Sequence, residues 1–134
     1  MAITDFHLLL LEGDPERRES MVHAARQAGL ERVHALSDVA EVRGYIERRS
    51  PSLLLLDLDA PSGLEMLSLV KSRPDLCGIV TVGLFDRRDG RVLRTAYDLH
   101  INSCLVRPDG SEDQVALFRS LRRYWEGLNQ PSGF

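Results

Sequence analysis

The chain has 134 residues, of which 43% are hydrophobic and 28% are charged, and this is enough apolar material for the core of one domain. Its formal net charge is −3 with acids and bases interspersed, which argues against the clustered basic face that binds nucleic acid. The apolar runs at residues 8–11 and 53–56 are far shorter than the ~20 residues of a membrane span, so we expect a soluble protein.

The N-terminal segment MAITDFH lacks the basic start and apolar stretch of a secretory signal. We therefore expect a cytoplasmic protein in which Cys77 and Cys104 stay reduced. Neither cysteine belongs to a CxxC pair or lies near paired histidines. Both are interpreted as small buried side chains rather than as metal ligands.

The first part of the chain predicts two strands and two helices. Residues 6–11, FHLLLL, are a continuous apolar run, which is typical of a strand covered on both faces. Asp14 followed by Pro15 predicts the start of a helix, and Gly29 ends its apolar pattern. RVHAL predicts a second strand, and Ser37 is the predicted cap of a second helix, which a later proline ends.

The rest of the chain continues this alternation. LLLLDL at residues 53–58, GIVTVGLF and SCLV predict three more strands. Helices are predicted after DAPSG, over GRVLRTAYDL and over EDQVALFRSLRRYWEGL. Short connections between strands and helices indicate βαβ units, whose right-handed crossovers place helices on both faces of a parallel sheet. The predicted fold is doubly wound α/β, with residues 129–134 as a flexible tail.

Acidic residues follow two of the predicted strands. EGD at residues 12–14 comes after the first strand, and Asp57 and Asp59 come at the end of the third. Ligands of open parallel sheets bind outside the carboxyl ends of the strands, so these acids are expected to meet at one rim. Carboxylates that lie close together repel each other unless a divalent cation, a proton or a basic side chain is present. Arg107, after the fifth strand, is the candidate basic side chain.

Three segments, LLLLEGDP, PSLLLLDLDAP and AYDLHINSCLVRP, resemble the receiver domains of two-component response regulators. The chain is most similar to the stand-alone receivers associated with bacterial phytochromes, which carry comparable AY.LG.NSYLVKP and YW segments. This resemblance implies a flavodoxin-like (βα)5 fold with strand order 2-1-3-4-5 over residues 1–128. It also implies a signalling protein rather than an enzyme, whose partner is a sensor histidine kinase of the phytochrome type.

The resemblance assigns roles to the acids at the rim. Asp57 matches the phosphoacceptor, Glu12 matches the first member of the family's acidic pair, and the backbone carbonyl of Asp59 matches a Mg²⁺ ligand. Gly13 stands at the second acidic position, which normally supplies a direct carboxylate ligand to the metal. Either the glycine lets Asp14 tilt inward as a substitute ligand, or Asp14 only caps the helix. Mg²⁺ binding is therefore expected to be weak or absent.

Three other positions of the resemblance depart from the family pattern. Phe85 stands at the threonine or serine position and cannot hydrogen-bond a phosphoryl oxygen, and Cys104 stands at the aromatic switch position. Arg107 stands at the lysine position, where it keeps the positive charge on a planar fork. The peptide bond that follows this basic residue is commonly cis in receivers, so a cis bond to Pro108 is expected. The loop DLDAPSGLE is also two residues shorter than the family's.

The last predicted helix carries LRRYWEGL, whose apolar side chains extend past the predicted sheet. Tyr124, Trp125 and Leu128, together with Tyr97 of the fourth helix, form the candidate interface of a homodimer. The expected dimer uses the fourth helix, fifth strand and fifth helix and does not depend on phosphate. The arginines in DPERRE, ERRS and DRRDGR are interpreted as solvated helix faces.

Three functions remain open at this point. The leading one is a single-domain response regulator that receives a phosphoryl group at Asp57, and the alternative is a pseudo-receiver that binds partners without phosphate. A remote alternative is a haloacid-dehalogenase-like phosphatase, because LLLLDLDAP resembles its nucleophile motif; Lys71 is the only lysine available for the rest of that site. FMN binding is disfavoured because the acids after the first strand would repel the FMN phosphate.

Overall fold

The computed structural model describes residues 6–86 and 90–128, in which five strands alternate with five helices. The strands are β1 (His7–Leu11), β2 (Arg32–Leu36), β3 (Leu53–Asp57), β4 (Val80–Phe85) and β5 (Ser103–Val106). The helices are α1 (Pro15–Gln27), α2 (Val39–Arg48), α3 (Pro61–Ser72), α4 (Gly90–Asp98) and α5 (Ser111–Leu128). The predicted tail at 129–134 lies outside the described residues. No helix in the described part of the chain is long and apolar enough to cross a bilayer.

The strands form one parallel sheet in the order β2-β1-β3-β4-β5, which confirms the predicted doubly wound α/β fold. Every residue of β1 and β3 is buried, because both strands lie inside the sheet and are covered on both faces. Alternate leucines of these strands enter different layers. Leu9 and Leu54 pack with α2, α3 and α4, whereas Leu8 and Leu53 pack with α1 and α5. Each buried leucine contributes about 1.5–3 kcal/mol to this two-layered core.

The two N-terminal helices both begin at an aspartate cap. Asp14 caps α1 by accepting a hydrogen bond from the backbone N–H of Arg17 at 3.3 Å, at the position that the sequence predicts. The prediction that Ser37 caps α2 is wrong. Asp38 is the cap and accepts from the backbone N–H of Glu41 at 2.9 Å, while the Ser37 hydroxyl donates to the Glu41 carboxylate. Asp38 takes the cap because its carboxylate lies three residues before a free helix N–H.

Gly63 allows α3 to start close to the end of β3. A side-chain carbon on this glycine would collide with the backbone carbonyl of Asp57. The amide of Gly63 instead donates to the carbonyl of Ala60 at 3.1 Å, which closes the short loop. This close approach fixes the backbone around Asp57 and Asp59, where the acids of the rim lie.

The turns after α1 and α4 have the same backbone shape but different residues. Gly29 has φ 92° and His100 has φ 68°, both in the left-handed region. In both turns the next amide, of Leu30 or Ile101, donates to a carbonyl five residues back. His100 stands where the receiver segment AY.LG.NSYLVKP has glycine. The chain thus holds a side chain in a conformation that costs an L-residue about 1 kcal/mol.

We expect His100→Gly to raise the free energy of unfolding by about 0.5 kcal/mol, because relief of the strained turn exceeds the added entropy of the unfolded chain. Gly29→Ala is the matched control and should lower it by about 1 kcal/mol. Urea unfolding of both variants measures the two effects. Changes of the same sign in the two variants would contradict this account of the turns.

Candidate functional site

Acidic side chains collect at the carboxyl ends of three neighbouring strands. Glu12 follows β1, Asp57 ends β3 and Asp86 follows β4. Glu12 and Asp57 are buried, with only 1% and 5% of their surface exposed. Asp59 turns its carboxylate toward the end of β4, where Oδ2 accepts a hydrogen bond from the backbone N–H of Asp86 at 2.7 Å. The order of the parallel strands brings these acids to one rim.

The guanidinium of Arg107, just after β5, lies at the centre of this rim. Nη1 donates to Glu12 Oε1 at 2.9 Å, and Nη2 donates to Asp57 Oδ1 at 2.6 Å. Nη2 also lies 3.8 Å from Asp59 Oδ2, and Nε lies 3.2 Å from Asp86 Oδ1 without hydrogen-bond geometry. Only 6% of the arginine side chain is exposed. A single buried cation therefore joins the acids that follow three strands.

The first turn of α1 adds two more arginines to the site. Arg17 Nη2 lies 3.3 Å from Glu12 Oε2, and this hydrogen bond raises the pKa of Arg17. Arg18 Nη1 donates to the backbone carbonyl of Glu12 at 2.9 Å. Side chains in a helix point back toward its N-terminus, so both arginines reach over the loop that carries the acid.

The interpretation of the arginine segments as solvated helix faces holds only in part. It is incomplete for the two arginines of DPERRE, which contact the site although the Arg17 side chain is 43% exposed. The arginines of ERRS, at the end of α2, are exposed. In DRRDGR, residues 87–89 lie outside the described residues.

The carboxylate of Asp57 has one bonded oxygen and one open oxygen. Oδ1 accepts from Arg107 Nη2 and from the backbone N–H of Asp59, the latter at 3.0 Å. Oδ2 accepts no hydrogen bond from any other residue that the structure describes. Burial raises the pKa of Asp57 above its ordinary value, an effect that the charge of Arg107 opposes. The site therefore holds a partly desolvated carboxylate with a cation on one side.

The residues at the rim do not fit a divalent cation. Both oxygens of Glu12 and Oδ1 of Asp57 are already bonded to arginines. Asp14 is turned to the helix end and to Arg17, so the helix-cap alternative describes its position. Within residues 6–86 and 90–128, no group of three or more acidic, histidine or cysteine side chains has the arrangement of a metal site.

Gly13 does not owe its identity to the backbone. Its φ lies outside the left-handed region, and a side-chain carbon there would lie 3.7 Å from the carbonyl oxygen of Ser37, which is an ordinary contact. The alternative in which Gly13 lets Asp14 tilt inward is therefore not supported by the backbone at this position. The position simply lacks the carboxylate that the family pattern has.

Phe85 and Cys104 lie near the rim on β4 and β5. Phe85 is buried, with 6% of its surface exposed, and belongs to the core layer under α2, α3 and α4. Cys104 is partly buried against the same layer, and burial raises the pKa of its thiol. Cys77 is exposed in the turn after α3, so the prediction that both cysteines are buried is wrong for Cys77.

The predicted cis bond between Arg107 and Pro108 is wrong, because every peptide bond in the described residues is trans. The arginine reaches the rim nonetheless. Its backbone N–H donates to the carbonyl of Phe85 at 2.8 Å, which extends the pairing of β5 with β4 by one residue. This extension aligns the start of the side chain with the ends of β3 and β1.

The candidate interface residues occupy two different environments. Tyr97 and Leu128 are each 53% exposed, and Val106 of β5 is 58% exposed. Trp125 instead packs on Phe6, with ring centroids 5.1 Å apart, and Tyr124 packs on the same core layer. Trp125 therefore covers the core beside the start of β1, and its replacement would disturb the fold as well as any interface.

Sequence reasoning missed three residues of the site, which are Asp86, Arg17 and Arg18. Asp86 is the first acid after β4, as Glu12 is after β1, and this parallel was the available signal. Arg17 lies in the first turn after the Asp14 cap, within side-chain reach of the preceding loop. In an open parallel sheet, residues in the first turn of the helix that follows a strand can therefore reach the ligand site at the end of that strand.

Two curated relatives match the chain at 31% identity. One is the probable methanogenesis regulatory protein FilR2 of Methanothrix harundinacea, and the match covers 96% of this chain and 88% of that protein. The other is the response regulator Rcp1 of Synechocystis sp., and the match covers 60% of this chain and 56% of that protein. No model of a known protein family matches the chain.

Solved structures of response regulators share the fold. The phosphorylated cyanobacterial phytochrome response regulator RcpA has a TM-score of 0.79 at 22% identity, with 95% of this chain and 98% of that chain covered. Manganese-bound Rcp1 has a TM-score of 0.75 at 23% identity, over 93% and 98% of the two chains. A response regulator receiver domain from Rhodospirillum rubrum has a TM-score of 0.76 at 25% identity, with 93% of this chain and 96% of that chain covered.

The chain belongs to the response regulator receiver family. The relatives that it resembles include phytochrome response regulators, in agreement with the likeness that the sequence suggests. Family members are in general signalling modules of phosphorelay pathways, and one of these relatives has been crystallised with Mn²⁺. The arginine-centred rim is therefore a departure within a known fold.

Proposed function

We propose that the protein is a response regulator that accepts a phosphoryl group at Asp57 from a sensor histidine kinase. The observation that supports this most is the state of the Asp57 carboxylate. Arg107 and the amide of Asp59 hold Oδ1, whereas Oδ2 is free of hydrogen bonds from other described residues. An oriented and partly desolvated carboxylate beside a fixed cation is suited to attack on phosphorus.

The transfer would convert a phosphohistidine and a carboxylate into a histidine and an acylphosphate. Oδ2 of Asp57 forms the new bond to phosphorus while the phosphorus–nitrogen bond breaks, and the electron pair of that bond returns to the imidazole. Arg107 would neutralise charge on the phosphoryl oxygens, and its planar fork can hold two oxygens at once. Phe85 offers no hydroxyl to the product, so little pull on the end of β4 is expected.

Asp57→Asn tests this assignment. We expect a small acyl phosphate or phosphoramidate to add one phosphate mass to the wild-type protein and none to the variant, as measured by intact-protein mass spectrometry. Asp14→Asn is the matched control and should be labelled like the wild type, because its carboxylate faces the helix end. Labelling that survives in Asp57→Asn would overturn the assignment.

A second candidate function is that of a pseudo-receiver, which binds partners without phosphorylation. The ion pairs of Arg107 with Glu12 and Asp57 favour it, because both carboxylates already have a cationic partner without phosphate. If the wild type takes up no phosphate from a small donor or from a phytochrome-type kinase, this function is preferred. Partner binding should then be equal for the wild type and Asp57→Asn.

The same module is proposed to form a homodimer through α4, β5 and α5 that does not depend on phosphate. The exposed apolar side chains of Tyr97, Val106 and Leu128 on these elements support this surface. Tyr97→Ala combined with Leu128→Ala should weaken the dimer at least tenfold, which corresponds to ~1.4 kcal/mol, as measured by sedimentation. A monomeric wild type at tens of micromolar, or a dimer unaffected by the two changes, would count against it.

A further inference from the structure

We propose that the guanidinium of Arg107 replaces the divalent cation of the receiver pocket, so that this protein works without a metal. The proposal concerns the same pocket as the proposed function, but it stands whether or not Asp57 is phosphorylated. It assigns to one side chain both a positive charge and the task of bridging the acids after β1 and β3.

The position of the guanidinium is the first reason. Its two terminal nitrogens each bond one of the two buried carboxylates, Glu12 at 2.9 Å and Asp57 at 2.6 Å. A metal in a pocket of this kind would draw on oxygens of the same two residues. The arginine thus bonds the oxygens on which a cation would depend.

The second reason is that most carboxylate oxygens of the rim, apart from Oδ2 of Asp57, already accept hydrogen bonds. Glu12 Oε2 is bonded to Arg17 and to the backbone N–H of Asp14, the latter at 3.1 Å, so the carboxylate has no free oxygen. Asp59 Oδ2 accepts a hydrogen bond from the backbone N–H of Asp86. A divalent cation would have to break several hydrogen bonds, two of them to a buried arginine, before it gained its own ligands.

The absence of a replacement ligand is the third reason. Gly13 offers no side chain, and the carboxylate of Asp14 is committed to the first turn of α1. A divalent ion would also lie close to the positive charge of Arg107, whose buried ion pairs are weakly screened by solvent. The missing carboxylate at Gly13 and the guanidinium of Arg107 therefore both weaken metal binding.

Calorimetric titration of Mg²⁺ into the wild type, Gly13→Asp, Arg107→Lys and the double variant tests the proposal. We expect no binding in the millimolar range for the wild type and weak binding for Gly13→Asp, because the arginine keeps its bonds. The double variant should bind at least roughly tenfold more tightly than either single variant. Arg43→Lys, an exposed arginine of α2, is the matched control and should behave like the wild type.

Two outcomes would overturn the proposal: Mg²⁺ binding by the wild type at millimolar or lower concentration, or binding by Gly13→Asp as tight as that of the double variant. Thermal unfolding of the wild type with and without Mg²⁺ gives a readout that needs no variant, since a ligand of the native state raises the melting temperature. No shift is expected.

Labelling by a small phosphodonor in excess chelator separates this proposal from the proposed function. Equal labelling of Asp57 with and without chelator supports both, and labelling that the chelator abolishes overturns the metal-free pocket. If no labelling occurs under any condition, the phosphoacceptor assignment fails, while the titration still decides whether the arginine excludes the metal.

Discussion

Arg107→Leu is expected to lower the free energy of unfolding by about 3–5 kcal/mol at neutral pH, the largest effect of any substitution considered for this protein. The arginine forms ion pairs with both Glu12 and Asp57, and all three side chains are at most 6% exposed. Removal of one partner leaves two buried carboxylates that repel each other and lack their strongest donors. Urea unfolding followed by the fluorescence of Trp125 measures the loss.

Arg43→Leu provides the matched control for this effect. Arg43 lies 3.8 Å from Glu47 on α2, and the two side chains are 59% and 46% exposed. An exposed pair of this kind contributes at most ~1 kcal/mol, so the control should differ from the wild type by less than that. The loss in Arg107→Leu should also shrink as the pH falls, because protonation removes the charges left unpaired. Equal losses of unfolding free energy in the two leucine variants would show that the buried ion pairs of Arg107 contribute no more than an exposed pair.

Acidification is expected to destabilise the protein through His7, by about 3 kcal/mol between pH 7 and pH 4. Burial, together with the nearby charges of Arg32, His34 and Arg49, lowers the pKa of His7 to about 4. Its Nε2 lies 2.7 Å from the hydroxyl of Tyr45, whereas its buried Nδ1 has no hydrogen-bond partner among the residues that the structure describes. The protonated ring carries an N–H on both nitrogens, and the one at Nδ1 would have no acceptor among the described residues.

The sign of this effect follows from the direction of the pKa change. The pKa of His7 is lower in the folded than in the unfolded chain, whose value is near 6.5, so the neutral ring contributes full stability above that pH. That stability is lost as the pH falls from 6.5 toward 4. His7→Gln should flatten the pH profile in this window, and His23→Gln, an exposed histidine of α1, should leave it unchanged. Parallel profiles for the wild type and His7→Gln would contradict the assignment.

The fold was predictable because its strongest signals are local and redundant. The apolar runs around Leu9 and Leu55 are typical of strands covered on both faces, and the alternation with helices then leaves few topologies. Errors in the elements concern single residues, such as the cap at Asp38 instead of Ser37. Neighbouring polar residues compete for a helix end by differences in geometry that a sequence does not display.

The site was predictable in its location but not in its bonding. Strand ends placed Glu12, Asp57 and Arg107 in one region, because parallel strands deliver their carboxyl ends to one rim. The sequence did not reveal that the arginine would bond both acids, or that Arg17 would reach back over the loop. Such contacts depend on the conformations of long flexible side chains, which depend in turn on what surrounds them.

The ordinary backbone at Gly13 also bears on how this pocket is able to evolve. Codons for glycine and aspartate differ by a single base, and the main chain already accommodates a side chain at this position. One mutational step would therefore add a further carboxylate to the rim with no rebuilding of the loop between β1 and α1. A protein that gained an acid at position 13 in this way would still carry Arg107. The order in which position 13 and position 107 change therefore decides whether the intermediate protein gains a function or only an extra negative charge.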